Sequence, residues 1–404
     1  VNNNPAQTQG EPIQYFLPGR IILHFEHPDG LTQTQLAKDI GDFFKQEDLD
    51  RPWKSQLAPP KPEAILTFPL KDDKGLVLSI VPVLLRDKKA SQKDLIKLLT
   101  TIDAEISKGP LYISGNVTLN SVAPNWLIGS APHGPHPPSP GSWPVDADTP
   151  KEADWNFQLK DKQKLSPLLF AKEQGAQIHV AIIDTAPAAI HLDEAYKRWR
   201  SSHQLVDRLL GPNRKLHVHT GIYADLELMD YSLVGHRYLM RDHGLFVAGI
   251  INSIAPEATL HLVKAFTPYG SGSTETIAQA LLYVLQNLEI GRPLIVNCSF
   301  GLSIDDGPDF PVELRDRDMS RSLREIFNRL ANEKDVIVVA AAGNDARPNS
   351  RPSARFPAAF EKVIGVGALP KGFPLTNGRY QAASYSNLAD DPLCARIGLD
   401  TPRL

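Results

Sequence analysis

The sequence predicts an α/β protein built in three layers around a mostly parallel sheet, preceded by a small α+β domain. Two patterns and a break between them predict this. Over residues 155–404, short apolar runs alternate with helical patterns, as buried parallel strands under helices do. Over residues 1–127 the order of patterns is β-α-β-β-α-β. Residues 128–154 form a Pro- and Gly-rich stretch that cannot build a core and reads as an extended linker.

The N-terminal domain opens with a strand at 21–25, followed by the turn signal Asp29-Gly30. A helix follows with Leu36, Ile40, Phe43 and Phe44 on one face. Apolar runs at 64–70 and 76–85 flank Asp72-Asp73-Lys74-Gly75, a hairpin signal. A second helix carries Leu95, Leu98, Leu99, Ile102 and Ile106, and 117–122 is the last strand. This order is the split βαβ arrangement of ferredoxin-like folds. In the larger domain, strands are expected at 178–183, 260–265, 294–298, 336–342 and 363–368. Helices are expected at 243–254, 274–288 and 321–331.

The totals exclude some functions. A net charge of −3 is too near neutral to argue for nucleic acid or an anionic membrane as partner, and neither is expected. No apolar run approaches the roughly 20 residues that span a bilayer. The two cysteines, Cys298 and Cys394, do not make a disulfide framework, and both are expected to be reduced. The chain begins VNNNPAQTQGEP, without a basic or apolar leader pattern, so a cytoplasmic location is expected. His133 and His136 lie in the linker without further ligands nearby and are not expected to hold a metal.

Four segments carry chemistry. Asp184 ends the buried run Ile178-His179-Val180-Ala181-Ile182-Ile183, where a carboxylate needs a partner. His243 starts a helix and is followed by Gly244, with Ala248 and Gly249 further along, which suits a positioned base packed closely on its surroundings. The strand Leu294-Ile295-Val296-Asn297-Cys298 ends in Ser299-Phe300-Gly301, small enough for a backbone to approach. Val338-Val339-Ala340-Ala341-Ala342 ends in Gly343-Asn344. Each alone has a structural explanation: a turn cap, a helix start, a strand end, a turn asparagine.

Together, in this order and spacing, they resemble the subtilase family of serine proteases. AIIDT resembles the family's Asp motif, DHGLFVAGI its His motif, VNCSFG its substrate-binding strand and VVAAAGND its oxyanion-Asn motif. Gly270-Ser271-Gly272-Ser273, Phe356-Pro357-Ala358 and Tyr385-Ser386-Asn387 follow in family order, and the resemblance covers about 155–390. It implies a subtilisin-like fold and a Ser-His-Asp endopeptidase acting on protein or peptide substrates. Asp184 would hold His243, His243 would move the proton, and Asn344 would donate to the oxyanion. Ser299, Phe300 and Gly301 would pair with the substrate backbone, Phe300 beside the first specificity pocket. No cofactor is expected, calcium remaining a family-level option only.

The sequence departs from the family at Leu245 and Phe246, where Thr and a second His are usual, and at Ala186, often Gly. No Gly-Thr-Ser follows Asn344, and Ser384 and Ser386 fall where the family has a loop. The nucleophile is therefore expected in a segment outside these 404 residues. The alternatives are a second chain that supplies it, as in a split protease, or a non-catalytic module that binds peptides. The N-terminal domain resembles subtilase propeptides, which implies a zymogen whose tail near Ala123-Pro124-Asn125-Trp126-Leu127 blocks the cleft. An activating partner protein would then relieve it, unless the domain is an adaptor sharing only the shape.

Overall fold

The structure, a computed structural model, describes residues 16–46, 48, 50–87, 90–130, 175–201, 204–220, 242–268, 270–287, 293–302, 314, 321–344, 346 and 354–368. Short pieces at 375–376, 379–380, 383 and 386–387 complete it. The Pro-rich stretch beyond residue 130, with His133 and His136, lies outside the described residues, as do Ser384 and Cys394.

The N-terminal unit runs β1 (Phe16–Pro28), α1 (Gln33–Lys45), β2 (Leu66–Lys71), β3 (Leu76–Leu84), α2 (Gln92–Ile106), β4 (Leu111–Ser114) and β5 (Val117–Ser130). Its strands pair antiparallel in the order β5-β1-β3-β2, with Leu23 opposite both Val81 and Val122. Local chemistry sets the elements. The Thr32 hydroxyl caps α1 by accepting from the Gln35 N–H. Ser91 and Asp94 form a reciprocal capping box on α2. Asp72 accepts from the Lys74 and Leu76 N–H groups, and Gly75 supplies the positive φ that closes the β2–β3 hairpin. The apolar faces of both helices are buried on the sheet.

The second unit contains β6 (His179–Asp184), α3 (Ala189–Trp199), α4 (Gln204–Leu210), β7 (Leu216–His219), α5 (His243–Ile254), β8 (Thr259–Lys264), β9 (Ser271–Ser273), α6 (Thr274–Asn287), β10 (Leu294–Cys298), β11 (Phe300–Gly301), α7 (Arg321–Asn332), β12 (Val336–Ala341) and β13 (Ile364–Val366). Six strands pair in parallel in the order β13-β12-β10-β6-β8-β7. One face of this sheet, with Ala181, Ile183, Val296, Val338 and Ala340, packs with residues of α6 and α7 such as Leu281, Ile326 and Leu330. On the other face Val180, Ile182, Leu260 and Leu262 pack with Leu192, Leu209 and Ala248 from α3, α4 and α5. The result is the three-layer α/β fold that the alternating pattern predicts. Among the described residues no helix is long and apolar enough to cross a membrane.

The second face is covered only in part. Toward β12 and β13 it leaves Ile337 49% and Val366 50% exposed, although their neighbours Val336 and Val338 are buried. A parallel sheet is normally covered on both faces.

The two units share a sheet. β5 continues well past the expected end at 122, and Leu127, Ile128 and Gly129 lie opposite Ser273, Gly272 and Ser271 of β9. Gly129 and Ser130 also lie opposite Gly301 and Phe300 of β11. Pro124 and Asn125 break the sequence pattern here, and strand partners from the other unit extend it. The opposite face of the N-terminal sheet rests on α6 and α7. Buried Arg329 on α7 donates to the Leu70 and Leu76 carbonyls at 3.0 and 2.7 Å and to Glu26 Oε1 at 2.5 Å. Breaking such a buried pair typically costs about 3–5 kcal/mol. Glu275, in the first turn of α6, accepts from Arg20 and Asn125, and its N–H donates to Asn125 Oδ1.

At the β7 edge four imidazoles gather. His261 stacks with His179, His217 and His219 at ring-centroid distances of 5.6, 5.3 and 5.8 Å. Among the described residues no group of three or more His, Cys, Asp or Glu side chains suits a metal ion. Burial, then repulsion from His217, His219 and His179, pushes the His261 pKa down to about 4 from the usual 6.5. Between those values the unfolded chain binds a proton that the folded chain refuses, so stability falls with pH from about 6.5 and levels off below about 4. Replacing His261→Phe keeps a stacked ring and removes the titration. Urea midpoints measured from about pH 7 to about pH 4 should fall less steeply in the variant; identical slopes would refute this account.

Candidate active site

Parallel sheets gather functional groups at the carboxyl ends of their strands. Asp184 is the last residue of β6, Ser299 follows β10 directly, and Asn344 lies just past β12. His243 is the first residue of α5.

The Asp184 carboxylate is fully buried. Its Oδ1 accepts from the Thr185 N–H at 2.7 Å and from His243 Nδ1 at 2.8 Å. An ionised carboxylate only accepts, so Nδ1 carries the proton and Nε2 is left as the acceptor. Burial lowers the His243 pKa, but the Asp184 charge and hydrogen bond outweigh it, and the net shift is upward. The pair is thus a fixed base whose protonated form is stabilised by a buried negative charge.

This contact depends on Gly244. A Cβ there would lie 2.2 Å from the Thr185 carbonyl oxygen and 2.8 Å from Asp184 Cβ. Only glycine lets the first turn of α5 rest on the end of β6, where the Gly244 N–H meets Thr185 Oγ1 at 3.2 Å.

The end of β5 runs between β9 and β11, antiparallel to both. Ser299 accepts from Asn297 Nδ2 at 3.0 Å. The Phe300 ring is buried 5.2 Å from that of Phe266, and Phe300 and Gly301 are the strand partners of Ser130 and Gly129. Gly343, at φ +111°, turns the chain into Asn344, and its carbonyl accepts from the Asn387 N–H at 3.0 Å.

The cysteine and serine nearby do other work. Cys298 is fully buried, and burial and Asp184 push its thiol well above the ordinary value, so it is inert. Ser386 is buried and bonded to the Ala368 N–H and the Asn387 carbonyl.

Thr185, the β9 edge and Arg355 beside Gly301 escaped the sequence reading. Thr185 was readable only as the residue after the acid. Ser271-Gly272-Ser273 was visible as small residues, but its partnership with Leu127–Gly129 spans too much sequence for any local pattern.

The profile of the Subtilase family matches residues 175–394. The chain belongs to the subtilase family. Among characterised subtilases it is 34% identical to the minor extracellular protease Epr of Bacillus subtilis strain 168, over 45% of this chain and 26% of that protein. It is 29% identical to subtilisin E of the same strain over 37% of this chain and 35% of the relative. It is 26% identical to an intracellular serine protease of Paenibacillus polymyxa over 50% of this chain and 53% of the relative. The chain thus spans between about a quarter and about a half of the length of these subtilases. Among solved structures, Sphericase aligns over 53% of this chain and 60% of its own at 22% identity and a TM-score of 0.30; membership rests on the sequence match.

Two substitutions test the pair. With Asp184→Asn, burial is left to act alone, so the His243 pKa should drop below 6.5; a proton NMR titration of the imidazole reads this, and an unchanged pKa would refute the coupling. Gly244→Ala should destabilise the fold by about 1–3 kcal/mol in urea unfolding and weaken the same coupling.

Proposed function

We propose that this chain is part of a Ser-His-Asp endopeptidase whose cleft is filled by the end of its own N-terminal unit. The hydrogen bond between buried Asp184 and His243 is the observation that carries it. In this scheme Asp184 keeps His243 in the tautomer with Nε2 free to accept, and His243 takes the proton of a serine hydroxyl as that oxygen attacks the peptide carbonyl. The imidazolium, stabilised by Asp184, returns the proton to the leaving amine. Asn344 donates its side-chain amide to the oxyanion, where a lost donor costs about 100- to 1000-fold in turnover.

The serine comes from residues outside these 404. The half-exposed Ile337 and Val366 favour this, because they mark a sheet face that a further apolar helix would cover. The scheme needs no metal or other cofactor, calcium remaining an option by family resemblance only.

The N-terminal unit acts as a built-in inhibitor, in the manner of a zymogen propeptide. Leu127–Ser130 holds the place of a substrate strand, antiparallel to both cleft edges. Protein or peptide substrates, or a partner protein that lifts the unit away, displace it; nucleic acid and membranes are not partners. Cytoplasmic location remains part of the proposal.

Labelling the full-length gene product with a fluorophosphonate tests the enzyme, since only an activated serine reacts. The expected result is a labelled serine, with labelling lost in His243→Ala. A folded protein that never labels would instead be a peptide-binding module. Gly129→Pro should unseat the β5 end, because proline cannot donate to a ladder, and raise peptidase activity; unchanged activity in a folded variant would refute inhibition by this strand.

A further inference from the structure

Between the N-terminal unit and α7 sits a buried histidine with one ring nitrogen unpartnered. We propose that His24 is an acid-sensitive catch at this interface, so that the docking which seats the end of β5 weakens as the surroundings acidify. That weaker docking also opens a peptide cleft rests on the function proposed above; the catch itself does not.

Strand geometry puts the ring at the interface. Side chains alternate along β1, so Arg20, Ile22, His24 and Glu26 leave the strand on one face. On this face Arg20 reaches Glu275 of α6, and Glu26 meets Arg329 of α7. His24 lies between these two anchors and is 2% exposed. Its partner on β5 is Ser121, whose hydroxyl lies 3.2 Å from His24 Nδ1. The same hydroxyl lies 3.4 Å from that of Ser322, in the first turn of α7. The contact thus passes from one unit to the other through two serines. On the other flank β3 places Ile80 opposite His24.

This setting holds the ring neutral. His24 Nε2 is buried with no hydrogen-bond partner among the described residues. A protonated ring would carry an N–H there with nothing to accept it, and a buried charge as well. The charged groups on this face are Arg20 and Glu26 of β1, Arg321, Glu325 and Arg329 of α7, and Glu275 of α6. The three carboxylates are already engaged: Glu26 and Glu325 accept from Arg329, and Glu275 from Arg20 and Asn125. Burial first, then repulsion from Arg329 and Arg321, pushes the His24 pKa down to about 3.

Undocking exposes this face of β1 to water, where an imidazole titrates near the ordinary 6.5. Between those values the released form binds a proton that the docked form refuses. Docking is therefore strongest above about 6.5, weakens by about 10-fold per pH unit below it, and levels off below about 3. His27 contributes nothing to this. It points to the opposite face, where Ser79 Oγ and the Pro28 carbonyl hold its two nitrogens at 2.8 and 2.9 Å. Those partners belong to the N-terminal unit, so undocking leaves them in place.

The test uses the full-length protein and hydrogen exchange at the amides of β9 and the end of β5, corrected for intrinsic exchange at each pH. From about pH 8 to about pH 5, above the carboxylate range, the opening constant should rise about 30-fold in wild type. His24→Asn, which can keep the Ser121 bond, and His24→Phe, which keeps a ring, should each remove the rise. Arg321→Glu, at an exposed position, should make it shallower by easing protonation. His261 is retained in every variant, so a difference from wild type belongs to His24. Opening that does not follow pH, or a rise that persists in both His24 variants, would overturn the catch and leave the peptidase standing. A rise removed by those variants in a protein that never labels with fluorophosphonate would support the catch and overturn the peptidase.

Discussion

A buried carboxylate at the end of the central strand is the constraint around which the site is arranged. Asp184 has no access to water, and its Oδ2 has no hydrogen-bond partner among the described residues. Its charge is tolerable only through Oδ1, which takes the Thr185 N–H and the His243 Nδ1–H. The same interaction works on His243, lifting its proton affinity against burial. Gly244 is the steric condition for that bond. The position of α5 on the sheet, and the presence of a base at all, trace to one missing methyl group.

The second dependence is longer in range. β5 is a core strand of the N-terminal sheet at one end and the strand between β9 and β11 of the other unit at the other end. That second end stays in place because the sheet behind it is fastened to α6 and α7, by Arg329 near one end and by Arg20, Asn125 and Glu275 near the other. Loosening those anchors would draw the end of β5 away from β9 and β11 even with every residue of that strand intact.

Much of this was legible in the sequence. The order of the N-terminal elements, the parallel strands and the places of Asp184, His243 and Asn344 follow from apolar periodicity and strand ends. What escaped has physical causes. β7, with the sequence Leu216-His217-Val218-His219, hides a strand behind imidazoles that pack on one another. α3 is short and carries apolar residues on both sides, Leu192 buried and Ile190 63% exposed, so no single face stands out. The far end of β5 forms only because strands some 140 and 170 residues later come to meet it, a pairing that no local pattern records. Arg355, between Ala354 and Phe356, carries no pattern of its own, and only Gly301 and Gly343 beneath it reveal its position.

The end of β5 also carries a sense of direction. β5 is antiparallel to β9 and to β11 at once, so these two edges run the same way and the chain between them runs opposite to both. A peptide has distinct amino and carboxyl ends, and only one orientation reproduces that double ladder. In the proposed peptide cleft, a sequence would therefore be distinguished from its own reversal, even though the two share every side chain.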